Sequence, residues 1–431
     1  MEISVDLQVL LRHTKLNQFV IGSAQWWEHV SSVGTPIQIP RSNGTTDLIF
    51  LWQEQRHESE HKAIYIEING VVNHHDFNAA ELTRYLGTDV YYYVCNIESS
   101  WNGTYALIPV FQEAMQPAYL GDKQQQITQH RDWIMKRREH HIADPFNKMN
   151  LHYGQWATSH SRSYLAPSVI HPAWTDYDQN SASQDWASLC RTHLYKSKLL
   201  QQNRRFWTYS TAEENHDDLP LVILLDGEFW VESMPVMGPL NFCTEHDLLP
   251  PAVYVMIDAI SVQQRGEDLT CSPIFWQAVI EEIIPMVAEH YSVSSNKDKV
   301  TVVGQSYGGL SALYAALNWP EHFSNALSQS GSFWWPNMSL MHNSHQADII
   351  QSIPETLYLD NDIEALGEKY RLNIYMEVGI REKVMVPLAE HIHSKLKMNN
   401  HNTIIELYDG GHDRLIWREG IIKGLIWLMN K

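Results

Sequence analysis

Apolar residues follow two different rhythms along this chain. In residues 1–150 they come as short β-branched or aromatic runs: Asp47 to Trp52 (DLIFLW), Ala63 to Ile68 (AIYIEI), Val90 to Cys95 (VYYYVC) and Thr104 to Val110 (TYALIPV). Asn69-Gly70 and Asn102-Gly103 read as turns between them. Short strands at this spacing predict a β-sandwich. The pattern then turns irregular from Gln116 to Ala187, with Asp144-Pro145, Ala166-Pro167 and His171-Pro172. That predicts a connector wrapped over the surface and no fold of its own.

The second rhythm begins near Cys190. Arg205 to Tyr209 (RFWTY), Leu219 to Leu225 (LPLVILL), Ala252 to Ile257 (AVYVMI), Val300 to Val303, Ala326 to Leu327, Asn373 to Val378 (NIYMEV) and Thr403 to Tyr408 (TIIELY) read as strands. Phe275 to His290 and Ser306 to Asn318 read as helices between them. Apolar strands alternating with helices predict a mostly parallel sheet covered on both faces. The expected organisation is therefore an N-terminal β-sandwich over residues 1–150, a connector over 151–187 and an α/β domain over 188–431. A chain of 431 residues is long enough for two or three domains.

Catalytic groups in such sheets sit beyond the carboxyl ends of the strands. Asp226, Asp258, Ser306, Glu377 and His412 all fall at or just past such ends. The sharpest motif is Gly304-Gln305-Ser306-Tyr307-Gly308, which follows the run VTVV and leads through Gly309 into LSALYAAL. This is G-x-S-x-G in the strand–turn–helix context it requires, the nucleophile elbow of an α/β hydrolase. The turn exposes the Ser306 hydroxyl, and any side chain at 304 or 308 is expected to clash. Gly309, Ala312 and Ala315 let the helix lie close to the sheet.

In this fold the triad runs serine, acid, histidine along the chain. The last strand, TIIELY, is followed by Asp409-Gly410-Gly411-His412-Asp413, which makes His412 the expected general base. The acid belongs after NIYMEV. Glu382, on the loop GIREK, is preferred, with Glu377 or no strong acid as the alternatives; Asp413 is too close to His412 in sequence to reach its Nδ1. The oxyanion donors are expected to be the backbone N–H of Tyr307 and one near Gly227 or Glu228, with Asp226 bracing that loop.

Composition adds bounds. The formal charge is −19, which argues against nucleic acid and anionic membrane as partners. Cys95, Cys190, Cys243 and Cys271 are widely spaced and form no CxxC pair, so neither a zinc site nor a disulfide framework is expected. The start, MEISVDLQVLLRHTKLNQF, lacks the basic opening of a signal peptide, and no run is long enough to span a bilayer; a cytoplasmic protein is expected. His74-His75-Asp76 and His140-His141 do not have metal-site spacing. The 16 tryptophans and 20 tyrosines suit an aromatic or carbohydrate ligand.

The blocks LVILLDGEFW, PPAVYVMIDAI, VTVVGQSYGGLSALYAALNWPEHF, LSQSGSFWWP and DGGHDRLIWREG resemble the enterochelin (enterobactin) esterases. The likeness extends into the N-terminal half through GTDVYYYVCNIESSWNGTYALIPV and ADPFN. The resemblance implies a β-sandwich domain before an α/β-hydrolase domain, and a cytoplasmic serine esterase that opens ferric catecholate trilactones to release iron. It places the family's serine and histidine at Ser306 and His412, its GIRE segment at Gly379 to Glu382, and a substrate-contacting arginine at Arg265. An anionic, aromatic trilactone calls for cations and flat aromatic walls. Arg381, Lys383, Arg414 and Arg418, with Trp334, Trp335 and Trp417, lie near the site loops in sequence and are expected to supply them. Trp26, Trp27 and Trp101 suggest that the N-terminal domain forms a further wall. No resident metal or organic cofactor is expected, since iron arrives with the substrate. A feruloyl-sugar esterase and a non-catalytic siderophore-binding protein are the alternatives.

Overall fold

The computed structural model describes residues 6–54, 61–72, 80–137, 140–149, 152–153, 159–167, 170–179, 185–213, 216–342, 353–367 and 369–431. The chain divides into two units, Met1–Val169 and Ile170–Lys431.

The first unit is built on two four-stranded sheets. One has the order β1-β2-β5-β4: β1 is Ile37–Pro40, β2 Thr45–Gln53, β4 Thr83–Arg84 and β5 Val90–Glu98. The other has the order β3-β6-β8-β7: β3 is Ala63–Ile68, β6 Asn102–Val110, β7 His152–Tyr153 and β8 Ser159–Tyr164. Leu48, Phe50, Ile64, Ile66, Trp101 and Leu107 pack together between the sheets. Ile49 and Leu51 point the other way, onto helix α1 (Ala24–Val33), where Trp26 and Trp27 cover them. A strand buried on both faces explains why DLIFLW does not alternate.

Three expectations change here. Asn102-Gly103 opens β6 and is no turn; the Asn102 amide exchanges hydrogen bonds with the Ala166 backbone at 2.9 Å each way. The segment expected to be a connector supplies β8, which pairs with β6, and it is preceded by a helix over Lys123–Arg137. Trp26, Trp27 and Trp101 are buried in this unit's core, so they present no wall to a ligand.

The second unit carries an eight-stranded sheet in the order β16-β15-β14-β13-β11-β12-β10-β9. Its strands are β9 (Arg191–Lys196), β10 (Asn203–Ser210), β11 (Leu221–Leu224), β12 (Val253–Ile257), β13 (Val300–Gln305), β14 (Asn325–Gln329), β15 (Asn373–Gly379) and β16 (Asn402–Tyr408). The six from β11 to β16 run parallel, and β10 pairs antiparallel with β9 and β12. The four central strands are wholly buried; β11 and β12 are unbroken apolar runs, while β13 and β14 also bury Thr301, Gln305, Asn325, Ser328 and Gln329. The helix expected at Phe275 to His290 runs over Pro273–Ala288, with a wide π-type turn at Val279–Ile283 just before Pro285. Three helices shape the site: α2 (Val262–Leu269), α3 (Tyr307–Asn318) and α4 (Arg414–Met429). Strand order reverses around β11 and β13, the place where α/β sheets open a crevice at their carboxyl ends.

Candidate active site

Ser306 sits between β13 and α3 with φ 59° and ψ −117°, a backbone state that non-glycine residues rarely adopt. Neighbouring backbone holds it there. Its N–H donates to Gln329 O at 2.9 Å, and its own carbonyl accepts from Ser332 N at 3.0 Å and Leu310 N at 3.1 Å. Gly304 is obligatory: a Cβ there would lie 2.2 Å from the Gly308 carbonyl oxygen. Gly308 differs from expectation, since its Cβ would make ordinary contact at 3.5 Å with Leu225. Gly309 takes the close approach to the sheet instead, 2.9 Å from Gln329 O.

The segment Gln329 to Ser332 links this elbow to Glu382 and His412. On one side Gln329 and Ser332 bond to Ser306, with the Ser332 and Ser306 hydroxyls 3.3 Å apart. On the other, Ser330 Oγ donates to Glu382 Oε1 at 2.6 Å. Glu382 Oε1 also accepts from Gly379 N at 2.8 Å and Tyr408 OH at 3.1 Å. The other carboxylate oxygen, Oε2, lies 2.5 Å from His412 Nδ1. Burial opposes charge on Glu382, but His412, with Ser330 and the Gly379 N–H, outweighs it and holds the carboxyl below its ordinary range. A carboxylate that stays ionised in a dry site can fix an imidazole's tautomer and stabilise its protonated form. Behind the imidazole stands Trp417, edge-on with ring centroids 4.6 Å apart. Its indole N–H donates to Ser330 Oγ and Tyr408 OH, each at 3.0 Å.

Glu377 is no rival for His412. Its carboxyl accepts from Gln329 Nε2 at 2.5 Å, and burial pushes it up to about 8 against the opposing pull of Gln329 and Lys423.

The loop after β11 lies against the start of α3. Asp226 has φ 56°, and Gly227 packs so tightly on β12 that a Cβ would lie 2.4 Å from the Met256 carbonyl carbon. Asp226 is buried and bridged by Arg265 Nε at 2.5 Å and Nη2 at 2.8 Å, with Arg414 Nη2 at 3.4 Å. Burial works against its charge, and the two guanidiniums overcome it to lower its pKa. Arg265 Nη2 also donates to Gln305 O at 3.1 Å, so one guanidinium joins the Asp226 loop to the elbow.

Several residues expected to face a ligand serve the frame, wholly or in part. Arg265 is committed to Asp226 and Gln305. Arg414 is buried over the Phe229 ring at 4.2 Å. Arg418 is fully buried and paired with Asp178 at 2.7 Å. Trp334 packs in the core beside Tyr307, and Trp417 backs His412. Half-buried Trp335 stacks edge-on with Tyr358, and Arg381 joins the acid and base loops through Asp409 at 2.6 Å. Arg265→Met is expected to leave Asp226 with Arg414 alone and to destabilise the fold by about 3 kcal/mol, as for a broken buried pair. Denaturant unfolding checks this; a residue that only touched substrate would raise KM at unchanged stability.

Ser330, Ser332 and Tyr408 escaped the sequence reading. Small hydroxyls carry no periodic signal, and only the fold brings them to Glu382 and Ser306. His74, His75 and Asp76 lie outside the described residues. His141 Nε2 is 3.2 Å from Glu67 Oε2, and no three ligating side chains converge among the described residues.

Residues 47–174 match the family model "Enterochelin esterase, N-terminal", and residues 197–428 match the model "Putative esterase". The chain belongs to the enterochelin esterase family. The iron(III) enterobactin esterase of Dickeya dadantii (strain 3937) is 35% identical over 421 residues, covering 96% of this chain and 95% of its own length. The iron(III) enterobactin esterase of Escherichia coli (strain K12) is 33% identical, with 94% and 96% covered. The crystal structure of ferric enterobactin esterase from Salmonella typhimurium has a TM-score of 0.80 at 32% identity, covering 95% of this chain and 99% of that one. The enterobactin esterase of Shigella flexneri, solved in the presence of enterobactin, has a TM-score of 0.79 at 31% identity, with 96% and 99% covered. The α/β-hydrolase fold with a preceding β-sandwich, and the assignment to carboxylic ester hydrolases, both stand on these likenesses. No single helix among the described residues is long and apolar enough to cross a membrane.

Proposed function

We propose that this enzyme hydrolyses the ester bonds of an enterobactin-like catecholate trilactone, taken as its ferric complex, and so releases iron in the cytoplasm. The observation that carries the reading is the bonded path from Ser306 through Gln329 to Ser332, Ser330 and Glu382 to His412. It occurs in a chain that shares its family and nearly full length with enterobactin esterases.

In this reading Ser306 Oγ attacks a serine-ester carbonyl while His412 Nε2 takes its proton. Glu382 orients the imidazole and stabilises its charge. The N–H groups of Tyr307, at the start of α3, and Gly227 receive the oxyanion. Collapse of the tetrahedral intermediate returns the proton to the leaving serine hydroxyl. Water, deprotonated by His412, then clears the acyl-enzyme. Each cycle consumes one water per ester, and complete hydrolysis yields dihydroxybenzoyl-serine units. The steps as written use groups of the protein chain and water, with iron as cargo. The linear products hold iron less tightly because the ring no longer preorganises three catechols. Arg381 and Trp335, both partly exposed beside the site loops, are the proposed ligand contacts.

A chromatographic time course on ferric and iron-free enterobactin, beside a feruloyl sugar, tests the assignment. Sequential appearance of linear trimer, dimer and monomer is expected from the siderophore. Preferential cleavage of the feruloyl ester would overturn it.

A further inference from the structure

Directly beneath the elbow lies a row of polar side chains that the steps above do not use. Strand register sets Gln305 of β13 beside Gln329 of β14, Gln329 beside Glu377 of β15, and Glu377 beside Glu406 of β16. The first three are buried and bonded in a line. Trp230 Nε1 donates to Gln305 Oε1 at 3.2 Å, Gln305 Nε2 to Gln329 Oε1 at 2.7 Å, and Gln329 Nε2 to Glu377 Oε1 at 2.5 Å. Gln329 Nε2 also donates to Trp417 O at 2.7 Å.

The ends of this line are one-way. An indole N–H only donates and a backbone carbonyl only accepts, so both amides in between have a single workable orientation. Burying such groups costs more than filling the space with apolar side chains; what a fully satisfied network adds is one defined arrangement. The line touches each part of the proposed machinery. Gln305 immediately precedes Ser306. Gln329 is bonded to Ser306 N through its own carbonyl. Trp417 backs His412. Gly420, three residues further along α4, makes room for Glu377, since a Cβ there would lie 2.0 Å from Glu377 Oε2.

We infer that Glu377 is a positioning residue: through Gln329 and Gln305 it locks the nucleophile elbow to the helix that backs the base. The inference rests on reading Ser306 and His412 as nucleophile and base. Protonation supports it. Burial keeps Glu377 neutral up to about pH 8; Gln329 and Lys423 pull the other way, and Glu406 and Glu382 reinforce burial. Tyr375 and Tyr408 are the other titratable groups that sense it, and both are held neutral by burial well beyond that range. A neutral Glu377 spares Glu382 a second buried negative charge. Ionisation places that charge in the dry row and loosens it.

The test compares the full-length wild type, Glu377→Leu and Glu377→Gln from pH 6 to pH 10. Two rates are read: kcat and KM on a small nitrophenyl ester, and phosphonylation of Ser306 by a fluorophosphonate. Glu377→Leu is expected to slow turnover and phosphonylation together by about tenfold, the worth of one buried hydrogen bond, at unchanged KM. Glu377→Gln keeps the acceptor oxygen and is expected to restore most of the rate. It should also lack the decline near pH 8 that ionisation of Glu377 is expected to impose on the wild type. A folded Glu377→Leu with wild-type rates overturns the inference. So does a Glu377→Gln variant that still declines near pH 8, and this second result decides the matter if the leucine variant does not fold. A wild type never phosphonylated at Ser306 overturns the underlying reading too, whereas these variant patterns overturn the positioning role alone.

Discussion

Ser306→Ala is expected to lower kcat for ester hydrolysis by about 10⁴- to 10⁶-fold while leaving the fold and siderophore binding intact. The size follows from the role. Removing the hydroxyl removes the covalent path, and what remains is the rate that oriented N–H groups and binding give to water. The fold is spared because serine and alanine both carry a Cβ at φ 59°, and the hydrogen bonds that hold the elbow run through the main chain. The contacts proposed for the ligand lie on other loops. Binding of ferric enterobactin, followed by quenching of tryptophan fluorescence, should therefore persist in the variant. Loss of binding together with activity would point to a damaged site instead, and retention of activity would remove Ser306 from the mechanism.

Glu382→Ala is expected to cost about 10⁴-fold in kcat with little change in KM. Two effects combine. His412 Nδ1 loses the acceptor at 2.5 Å that sets its tautomer, so Nε2 no longer reliably presents a lone pair to the serine. The imidazolium formed during attack also loses its buried counter-charge. Ser330, Gly379 and Tyr408 are meanwhile left without the Oε1 that accepts from all three. The variant should accordingly unfold at lower denaturant concentration as well as turn over slowly. The pH dependence has a definite sign. Because the folded carboxyl is held below its ordinary value of 4.5, its stabilising contribution is present above that value. It is lost as pH falls through the folded value. Wild type and Glu382→Ala should therefore converge in stability in acid. Activity within tenfold of wild type would mean that His412 works without the acid.

How much of this was legible in the sequence depends on where each element draws its stability. β11 and β12 are buried on both faces and appear as unbroken apolar runs, and β13 is interrupted only by Thr301 before its elbow glycine. The elbow was legible because its strain demands glycine at 304 in a fixed context. β9 (RTHLYK) was not, because this edge strand is largely in solvent and mixes charged, polar and apolar residues without a clear core face. β8 (SHSRSY) has no aliphatic residue at all; it pairs by main chain with β6, and its Ser161 hydroxyl accepts from Asp144 N at 2.8 Å. A pattern based on hydrophobicity has nothing to register there.

The same division runs through the site. Ser306, His412 and Glu382 follow from motif order along the chain. The frame around them does not, because its partners come from distant strands: Asp226 with Arg265 and Arg414, Glu382 with Ser330 and Tyr408. Charge misled in one respect. Arginines near the site loops were read as ligand-facing, yet Arg265 neutralises a buried aspartate and Arg418 is spent on Asp178. A cation close to a site in sequence is as readily a structural counter-ion as a substrate contact, and only burial and partners separate the two.

Peptide mapping by mass spectrometry after fluorophosphonate treatment tests the central claim most directly. A single phosphonyl adduct on the peptide containing Ser306, absent from Ser306→Ala and formed far more slowly in His412→Ala, is the predicted result. An adduct on another serine, Ser332 included, or labelling of Ser306 at an equal rate without His412, would contradict it.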